Sequence, residues 1–258
     1  MPGTLTWERD DRCVVGDTVF QIPPADLLDS DHPQMSMEGA EFLLLRERSL
    51  VDRYVELVEE VRPRHIVELG IMHGGGTALL FELAHPRRLV AIDNRPPKGS
   101  KLRDYIARRG LDQVVRIYDV NQADRRRLDE IVEEEFGDEP LDLVVDDCSH
   151  LYEATRASFN ELFPRLRPGG VYTIEDWRWA HPPLDAESLE GMWRDEVPLT
   201  RLIFELVLAV PSMPGLISEI KIETELVQVR RGDAAVDPRG FQISACSTPR
   251  GRRLLASD

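Results

Sequence analysis

Five short runs of branched apolar residues recur along the middle of the chain, and a segment of helical length and periodicity follows each of the first four. The runs begin near residues 66, 89, 114, 142 and 171, at intervals of 23, 25, 28 and 29 residues. Strands that alternate with helices at such intervals form βαβ units, in which helices cover both faces of a parallel sheet. The pattern between His65 and Asp176 therefore predicts an α/β fold.

The segments upstream of this alternation and at the end of the chain differ from it in character. Residues 1–37 are rich in turn-forming residues and are expected to form an N-terminal arm or lid. Apolar residues at helical spacing between Leu50 and Val61 predict an amphipathic helix. Residues 232–258 contain scattered Gly, Pro and Arg, and we expect a C-terminal tail that wraps the surface.

The alternation stops after Asp176. A loop over residues 177–198 is expected to lead into a helix at Leu199–Val210, and a tightly joined pair of strands follows between Ile217 and Arg231. Before the fifth strand, the sequence Pro168-Gly169-Gly170 is expected to break the chain, since neither residue type suits the interior of a regular element.

Composition narrows the range of partners. The chain has 32 Lys and Arg residues against 47 Asp and Glu residues, a formal net charge of −15. Nucleic acids and anionic membranes recruit basic surfaces, so neither is expected as a partner. The sequence shows no apolar stretch that could span a bilayer and no signal peptide, and its three cysteines are widely spaced. We therefore expect a soluble cytoplasmic protein.

The first predicted strand runs into a glycine-rich turn, Glu68-Leu-Gly-Ile-Met-His-Gly-Gly-Gly-Thr77, which opens a helix. Parallel sheets bind ligands at the carboxyl ends of their strands, where bare glycine backbone and helix N-termini can contact a ligand. Asp93 ends the second strand, where a carboxylate can accept both ribose hydroxyls, and Asp119 ends the third, within reach of an adenine amine. The glycine spacing differs from the dinucleotide fingerprint. The combination predicts a nucleoside-type cofactor.

Acidic residues follow the next two strands. The fourth strand ends in Asp146-Asp147-Cys148-Ser149-His150, and the fifth ends in Glu175-Asp176. Neighbouring parallel strands end at the same edge of a sheet, so these four carboxylates and His150 are expected to gather there. Such a cluster repels itself unless protons or a cation neutralise it, and oxygen ligands favour a hard ion such as Mg²⁺. The strand ends therefore predict a magnesium site.

The glycine-rich turn and Asp93 resemble the first motif and the ribose-binding position of the class I S-adenosylmethionine-dependent methyltransferases. The resemblance covers about residues 38–231, which are expected to form the methyltransferase domain. It implies a Rossmann-like, seven-stranded sheet of order 3-2-1-4-5-7-6 with strand 7 antiparallel, and S-adenosylmethionine as cofactor. The cofactor-binding residues that we expect are Glu68, Gly70, Gly74, Gly76, Thr77, Asp93, Asp119 and Asp146.

Asp147 and His150 form a D-x-x-H pattern, followed by Tyr152-Glu-Ala-Thr155, that resembles a narrower group. These are metal-dependent sugar O-methyltransferases, including rhamnosyl, macrolide-sugar and mycobacterial mannoside enzymes. The resemblance implies that Mg²⁺ binds to Asp147, Glu175 and Asp176. It makes His150 the catalytic base beside a catalytic Asp147, while Asp146 orients a neighbour or the cofactor. The implied acceptor is a small molecule or oligosaccharide, and a homodimer is expected.

Other functions stay open at this point. A catechol or phenolic acceptor would suit Mg²⁺ equally well, because its vicinal oxygens chelate the ion. An NAD-dependent sugar oxidoreductase would share the fold and Asp93, but the glycine spacing differs and the sequence has no Tyr-x-x-x-Lys pair. A non-catalytic module that binds an adenosyl ligand would have no use for the clustered acids and His150. Trp177 and Trp179 either stack on a sugar or pack in the core.

Overall fold

The computed structural model of the protein describes residues 3–24, 39–179, 181 and 196–246. Parts of three predicted segments lie outside the described residues: 25–37 of the arm, 180 and 182–195 of the loop, and 247–258 of the tail. The described residues contain eleven strands and six α-helices. The chain divides into two compact units, Met1–Asp119 and Val120–Asp258.

A small sheet opens the first unit, where turns alone were expected. Its strands, in spatial order, are β1 (Leu5–Arg9), β2 (Arg12–Val15), β3 (Thr18–Gln21) and β4 (Phe42–Leu43). The first three strands are antiparallel and β4 pairs in parallel with β3. Phe20 and Phe42 are fully buried and stack with ring centroids 6.0 Å apart. These strands are too short for their alternation to stand out from the turn residues between them.

The rest of the first unit consists of alternating helices and strands. They are α1 (Arg48–Val61), β5 (His65–Leu69), α2 (Gly75–Ala84), β6 (Arg88–Ile92), α3 (Lys101–Arg109) and β7 (Val114–Ile117). The three strands are parallel, with β6 between β5 and β7. All five residues of β5 are buried, as in a strand covered on both faces, although two of them, His65 and Glu68, are polar.

The second unit continues the alternation and ends in antiparallel strands. Its elements are α4 (Arg125–Phe136), β8 (Leu141–Asp146), α5 (Tyr152–Leu162), β9 (Leu166–Glu175), α6 (Thr200–Ser212), β10 (Ile217–Ile222) and β11 (Leu226–Arg231). β8 and β9 are parallel, whereas β11 is antiparallel to both β9 and β10. Among the helices of the described residues, none is long and apolar enough to cross a membrane.

The larger sheet has the strand order β10-β11-β9-β8-β5-β6-β7. Numbered from β5 and taken from the other edge, this order is 3-2-1-4-5-7-6, with β11 as strand 7. The predicted α/β fold, strand order and antiparallel seventh strand are therefore confirmed.

The predicted break before the fifth strand is wrong. Strand β9 already begins at Leu166, so Pro168-Gly169-Gly170 lies inside it. Leu141 of β8 lies opposite Leu166, but Leu143 lies opposite Val171, so β9 contains three additional residues at this point. A bulge can hold such residues without ending a strand. The preceding helix ends at Leu162, and a short 3-10 turn that contains a proline follows it.

A buried carboxylate links the small sheet to two helices of the first unit. Glu82 on α2 is 2% exposed and accepts hydrogen bonds of 2.6 Å from Thr18 Oγ1 and from the Tyr105 hydroxyl. Arg109 Nη1 lies 3.3 Å from the same carboxylate. Burial and the Glu82 carboxylate raise the pKa of Tyr105, so the phenol remains a donor. Glu82 thus connects β3, α2 and α3.

Candidate functional site

The glycine-rich turn between β5 and α2 is held by Asp93, the residue that follows β6. Asp93 Oδ2 accepts hydrogen bonds from the backbone N–H groups of Ile71 at 2.9 Å and Met72 at 3.1 Å. Asp93 Oδ1 accepts from the N–H of Arg95 at 2.9 Å, and Asp93 is only 4% exposed. Asp93 therefore fixes the backbone on which a ligand would lie, and its oxygens retain lone pairs for ribose hydroxyls.

Two of the glycines are explained by the protein's own packing. Gly74 has a φ of +84°, and a Cβ atom there would lie 2.7 Å from Leu102 Cβ. A Cβ at Gly76 would lie 2.6 Å from Glu68 Oε1 and even closer to the guanidinium of Arg46. A side chain is therefore excluded at Gly74 even without a ligand, whereas at Gly76 the ends of the Arg46 and Glu68 side chains would have to shift. The sequence pattern predicts that these glycines contact a ligand, and nothing in the sequence indicates these neighbours.

Glu68 and Thr77 connect the strand to the first turn of the helix. Both side chains are buried, and Thr77 Oγ1 donates to Glu68 Oε2 at 2.5 Å. Asp119 follows β7 as an exposed residue with a φ of +60°. The first unit thus brings Glu68, Thr77 and Asp93 around one turn, and their roles toward a cofactor stay predictions.

Three predicted residues come together in the second unit, two of them from the turn after β8 and the third, Asp176, from the position after β9. We call this group the acidic turn. One ligand atom from each of Asp147, His150 and Asp176 lies within 4.8 Å of the other two. His150 Nε2 is 4.0 Å from Asp147 Oδ1 and 3.8 Å from Asp176 Oδ2. His150 and Asp176 both have a left-handed backbone, with φ values of +56° and +55°. Such conformations are unfavourable for residues other than glycine and concentrate at functional sites.

The electrostatics of this cluster favour a positive partner. Burial raises the pKa of Asp176 to about 6, and the carboxylates of Glu175 and Glu225 add to this effect, whereas His150 opposes it. The side chains remain accessible, with 11% of His150 and 27% each of Asp147 and Asp176 exposed. A bound cation would stabilise the two carboxylates in their ionised form.

Glu175 is placed differently from the other predicted metal ligands. It is the last residue of β9 and is 2% exposed. Within the described part of the chain, the three-residue cluster contains His150 and does not contain Glu175. The role of Glu175 as a ligand stays a prediction.

Asp146 belongs to a buried hydrogen-bond network. It is 2% exposed, and its Oδ2 accepts from the Tyr172 hydroxyl at 2.6 Å and from Ser158 Oγ at 2.8 Å. Gln122 Nε2 donates to Asp146 Oδ1 at 3.1 Å. Burial raises the pKa of Asp146, and the hydrogen bonds from Tyr172 and Ser158 oppose that rise. Gln122 was missed by the sequence prediction, because nothing local marks a glutamine whose partners lie 24 or more residues away.

A pocket adjoins the His150 cluster. Its lining includes His150, Asp176, Trp177, Trp179 and Leu199. The Trp179 ring lies over the His150 ring, with centroids 5.0 Å apart and an angle of 30° between the planes. Trp177 Nε1 donates to a backbone carbonyl, that of Glu223, at 2.8 Å. The hydrogen bond therefore holds Trp177 in the fold, whereas Trp179 stands directly beside the candidate base.

Residues 67–177 match a family described as a methyltransferase domain. The matched range includes the glycine-rich turn, Asp93 and the acidic turn up to Trp177. The predicted resemblance to methyltransferases is therefore confirmed over these residues.

Several curated proteins are similar to the chain. Demethylmacrocin O-methyltransferase from Streptomyces fradiae is 36% identical over 96 residues, or 32% of this chain and 24% of the relative. L-olivosyl-oleandolide 3-O-methyltransferase from Streptomyces antibioticus is 29% identical over 182 residues, or 68% of this chain and 43% of the relative. Mycinamicin VI 2''-O-methyltransferase from Micromonospora griseorubida is 33% identical over 129 residues, or 48% of this chain and 29% of the relative. The chain spans less than half the length of these relatives.

Solved structures share the fold. MycE methyltransferase from the mycinamycin biosynthetic pathway, in complex with Mg, SAH and mycinamycin VI, has a TM-score of 0.54 and 24% identity, covering 70% of this chain and 49% of that one. An O-methyltransferase from Bacillus cereus in complex with SAH has a TM-score of 0.52 and 17% identity, and the match covers 81% of this chain and 92% of that one. These likenesses agree with the class I methyltransferase fold.

Proposed function

We propose that the chain is a Mg²⁺-dependent O-methyltransferase that moves a methyl group from S-adenosylmethionine to a sugar hydroxyl of a glycoside. The observation that carries this proposal is the cluster of Asp147, His150 and Asp176 beside Trp179, in a chain with a methyltransferase domain. The relatives named above are O-methyltransferases, and several of their names include a macrolide or a sugar.

The glycine-rich turn fits S-adenosylmethionine. Asp93 holds the N–H groups of Ile71 and Met72, so the backbone is already ordered where the nucleoside would lie. Glu68, Gly70 and Thr77 complete the turn at the start of α2, whose N-terminus favours a negatively charged group such as a carboxylate. The MycE structure was solved with SAH, which supports the same class of cofactor here.

The acidic turn fits a divalent cation. Asp147 and Asp176 offer carboxylate oxygens from two different segments, which is the kind of donor that Mg²⁺ prefers. We assign these two residues as ligands, with Glu175 as the third carboxylate available beside them in the sequence. The methyl group comes from bound S-adenosylmethionine, and a bound Mg²⁺ lowers the pKa of a hydroxyl that it contacts.

His150 is the group of this chain that can take the proton from the acceptor. Histidine titrates near neutrality and serves as a general base when its nitrogen is within hydrogen-bond reach of the proton. Asp147 and Asp176 lie 4.0 and 3.8 Å from His150 Nε2, so both carboxylates stabilise the imidazolium formed on proton transfer. The Trp179 ring packs against the imidazole and restricts its orientation.

The lining of the pocket next to His150 combines the apolar and polar groups that a sugar would contact. Its Trp179 and Leu199 side chains are apolar, whereas Asp176 and Glu196 offer hydrogen-bond acceptors. A pyranose presents both kinds of surface, since its C–H face is apolar and its hydroxyls are donors. The MycE structure contains mycinamycin VI, which supports a glycosylated acceptor for this chain.

An acceptor screen tests the proposal. The chain is incubated with S-adenosylmethionine, Mg²⁺ and a panel of rhamnosides and macrolide glycosides, and products are detected by mass. We expect at least one glycoside to gain a methyl group and the His150→Ala variant to lose most of that activity. A catechol and phenol panel serves as the competing arm. Methylation there but on no glycoside would reject the sugar acceptor.

The homodimer, the cytoplasmic location and the domain boundaries near residues 37 and 231 also stay proposals. They rest on the sequence and on the resemblance to sugar O-methyltransferases. Size-exclusion chromatography with light scattering would test the homodimer, and limited proteolysis would test the domain boundaries.

A further inference from the structure

A single buried side chain links the end of β8 to the turn that follows it. Gln122 is 3% exposed, and its Nε2 donates to Asp146 Oδ1 at 3.1 Å and to Ser158 Oγ at 3.2 Å. At the other end of the same amide, Gln122 Oε1 accepts from the backbone N–H of Ser149 at 3.0 Å. Gln122 therefore bridges a strand end and Ser149, one of the two residues between Asp147 and His150.

The anchor of this bridge is itself held in place. Asp146 accepts from Ser158 on α5 at 2.8 Å and from Tyr172 on β9 at 2.6 Å, and the two hydroxyls lie 3.1 Å apart. All three side chains are at most 2% exposed. Fully satisfied buried networks of this kind are rigid and specify one arrangement. The amide of Gln122 is thus fixed relative to β8, β9 and α5.

The turn that Gln122 contacts depends on such support. His150 has a left-handed backbone, which is unfavourable for a residue with a Cβ atom and persists only where the surroundings impose it. The hydrogen bond at Ser149 acts on the peptide between Cys148 and Ser149, which lies midway between Asp147 and His150. A small rotation of this peptide would turn the Asp147 and His150 side chains away from Asp176.

We propose that Gln122 is a positioning residue for the metal site. Through Ser149 it sets the backbone that directs Asp147 and His150 toward Asp176. This inference rests on the proposed function, because it requires that Asp147 and Asp176, beside His150, bind a divalent cation. Gln122 itself does not contact the cation.

Binding of Mn²⁺ alone, followed by electron paramagnetic resonance, tests this role without turnover. The Gln122→Met variant keeps the length of the side chain and removes both ends of the bridge. We expect its Kd for Mn²⁺ to rise by about tenfold or more, as with other groups that orient metal ligands. Its Kd for SAH, measured by calorimetry, should stay within about twofold. The matched control, Gln228→Met at a half-buried position of β11, should change neither value.

The outcomes separate the inference from the proposed function. A folded Gln122→Met protein that binds Mn²⁺ as tightly as the unaltered protein would overturn the positioning role alone. Equal losses of Mn²⁺ and SAH affinity would also overturn it, since they indicate general damage. If Gln122→Met does not fold, Gln122→Asn, which remains polar but is too short to bridge, is expected to show the same selective loss. Failure of the unaltered protein to bind Mn²⁺ would reject the metal site itself.

Discussion

The glycine-rich turn and the acidic turn both follow buried parallel strands, but their carboxylates have different partners. In the glycine-rich turn, Asp93 accepts three backbone hydrogen bonds of 2.9 to 3.1 Å. In the acidic turn, His150 Nε2 approaches Asp147 and Asp176 only to 4.0 and 3.8 Å, which is longer than a hydrogen bond. The first turn is ordered by the protein's own donors, whereas the second gathers charges that a cation would stabilise.

This difference predicts that the two regions respond to different ligands. Substitutions at the acidic turn should change metal affinity and leave SAH affinity intact. Substitutions at the glycine-rich turn should change SAH affinity and leave metal affinity intact. A variant that changed both affinities equally would break the comparison.

The largest effect is expected at Asp176. Replacing Asp176 with Asn removes a charged ligand, and we expect methyl transfer to fall on the order of 100-fold or more. Binding of Mn²⁺ should become too weak to measure, while the Kd for SAH should stay within about twofold. Asp138→Asn, the same change at an exposed loop residue, is the matched control. Unchanged Mn²⁺ binding in Asp176→Asn would remove the assignment of this ligand.

The next largest effect is expected at Gly74. The residue has a left-handed backbone, and a Cβ atom there would lie 2.7 Å from Leu102 Cβ, so Gly74→Ala should lower the free energy of unfolding by about 2–4 kcal/mol. The Kd for SAH should rise and the Kd for Mn²⁺ should not. Urea unfolding and calorimetry measure both effects. Gly110→Ala, at a left-handed position with no heavy atom within 4 Å, should cost only the backbone energy of about 1–2 kcal/mol and leave SAH binding unchanged.

A smaller effect is expected at Trp179. Its ring stacks on His150 and lines the pocket, so Trp179→Ala should raise the KM for a glycoside by about tenfold, with a smaller change in kcat. Initial rates over a range of acceptor concentrations separate the two constants. Trp7→Ala serves as the control, because Trp7 donates to Asp52 in the first unit. Equal KM values for Trp179→Ala and the unaltered protein would argue that Trp179 only packs.

The smallest effect on ligand binding is expected at Tyr105, which lies outside both turns. Tyr105→Phe removes one hydroxyl from the buried Glu82 carboxylate and should lower the free energy of unfolding by about 1–3 kcal/mol. Neither SAH nor Mn²⁺ affinity should change. Chemical unfolding together with the two binding measurements checks this expectation, and an altered Mn²⁺ affinity would contradict it.

Local patterns in the sequence predicted much of the fold and both turns. The strands β5 to β9 are mostly apolar runs at regular intervals, so their spacing located them, and the resemblance supplied their order. The strands of the small sheet were missed because four- and five-residue strands between turns carry too little pattern. Pro168-Gly169-Gly170 looked like a break, but pairing with β8 on one side and β11 on the other holds β9 together around it.

The parts of the site that escaped prediction depend on tertiary contacts. Gln122 acquires its role from Asp146 and Ser149, which lie 24 and 27 residues away. The need for glycine at position 74 comes from Leu102, which belongs to a different segment. The grouping of His150 rather than Glu175 with Asp176 depends on side-chain direction at a strand end, which spacing does not specify.

The central claim is that a cation held at the acidic turn is required for methyl transfer to a sugar. The direct test is to follow transfer from labelled S-adenosylmethionine to a responsive glycoside after EDTA treatment and again after addition of Mg²⁺. We predict that EDTA abolishes transfer, that Mg²⁺ restores it, and that it restores none in Asp147→Asn. Transfer at an unchanged rate in the presence of EDTA would contradict the claim.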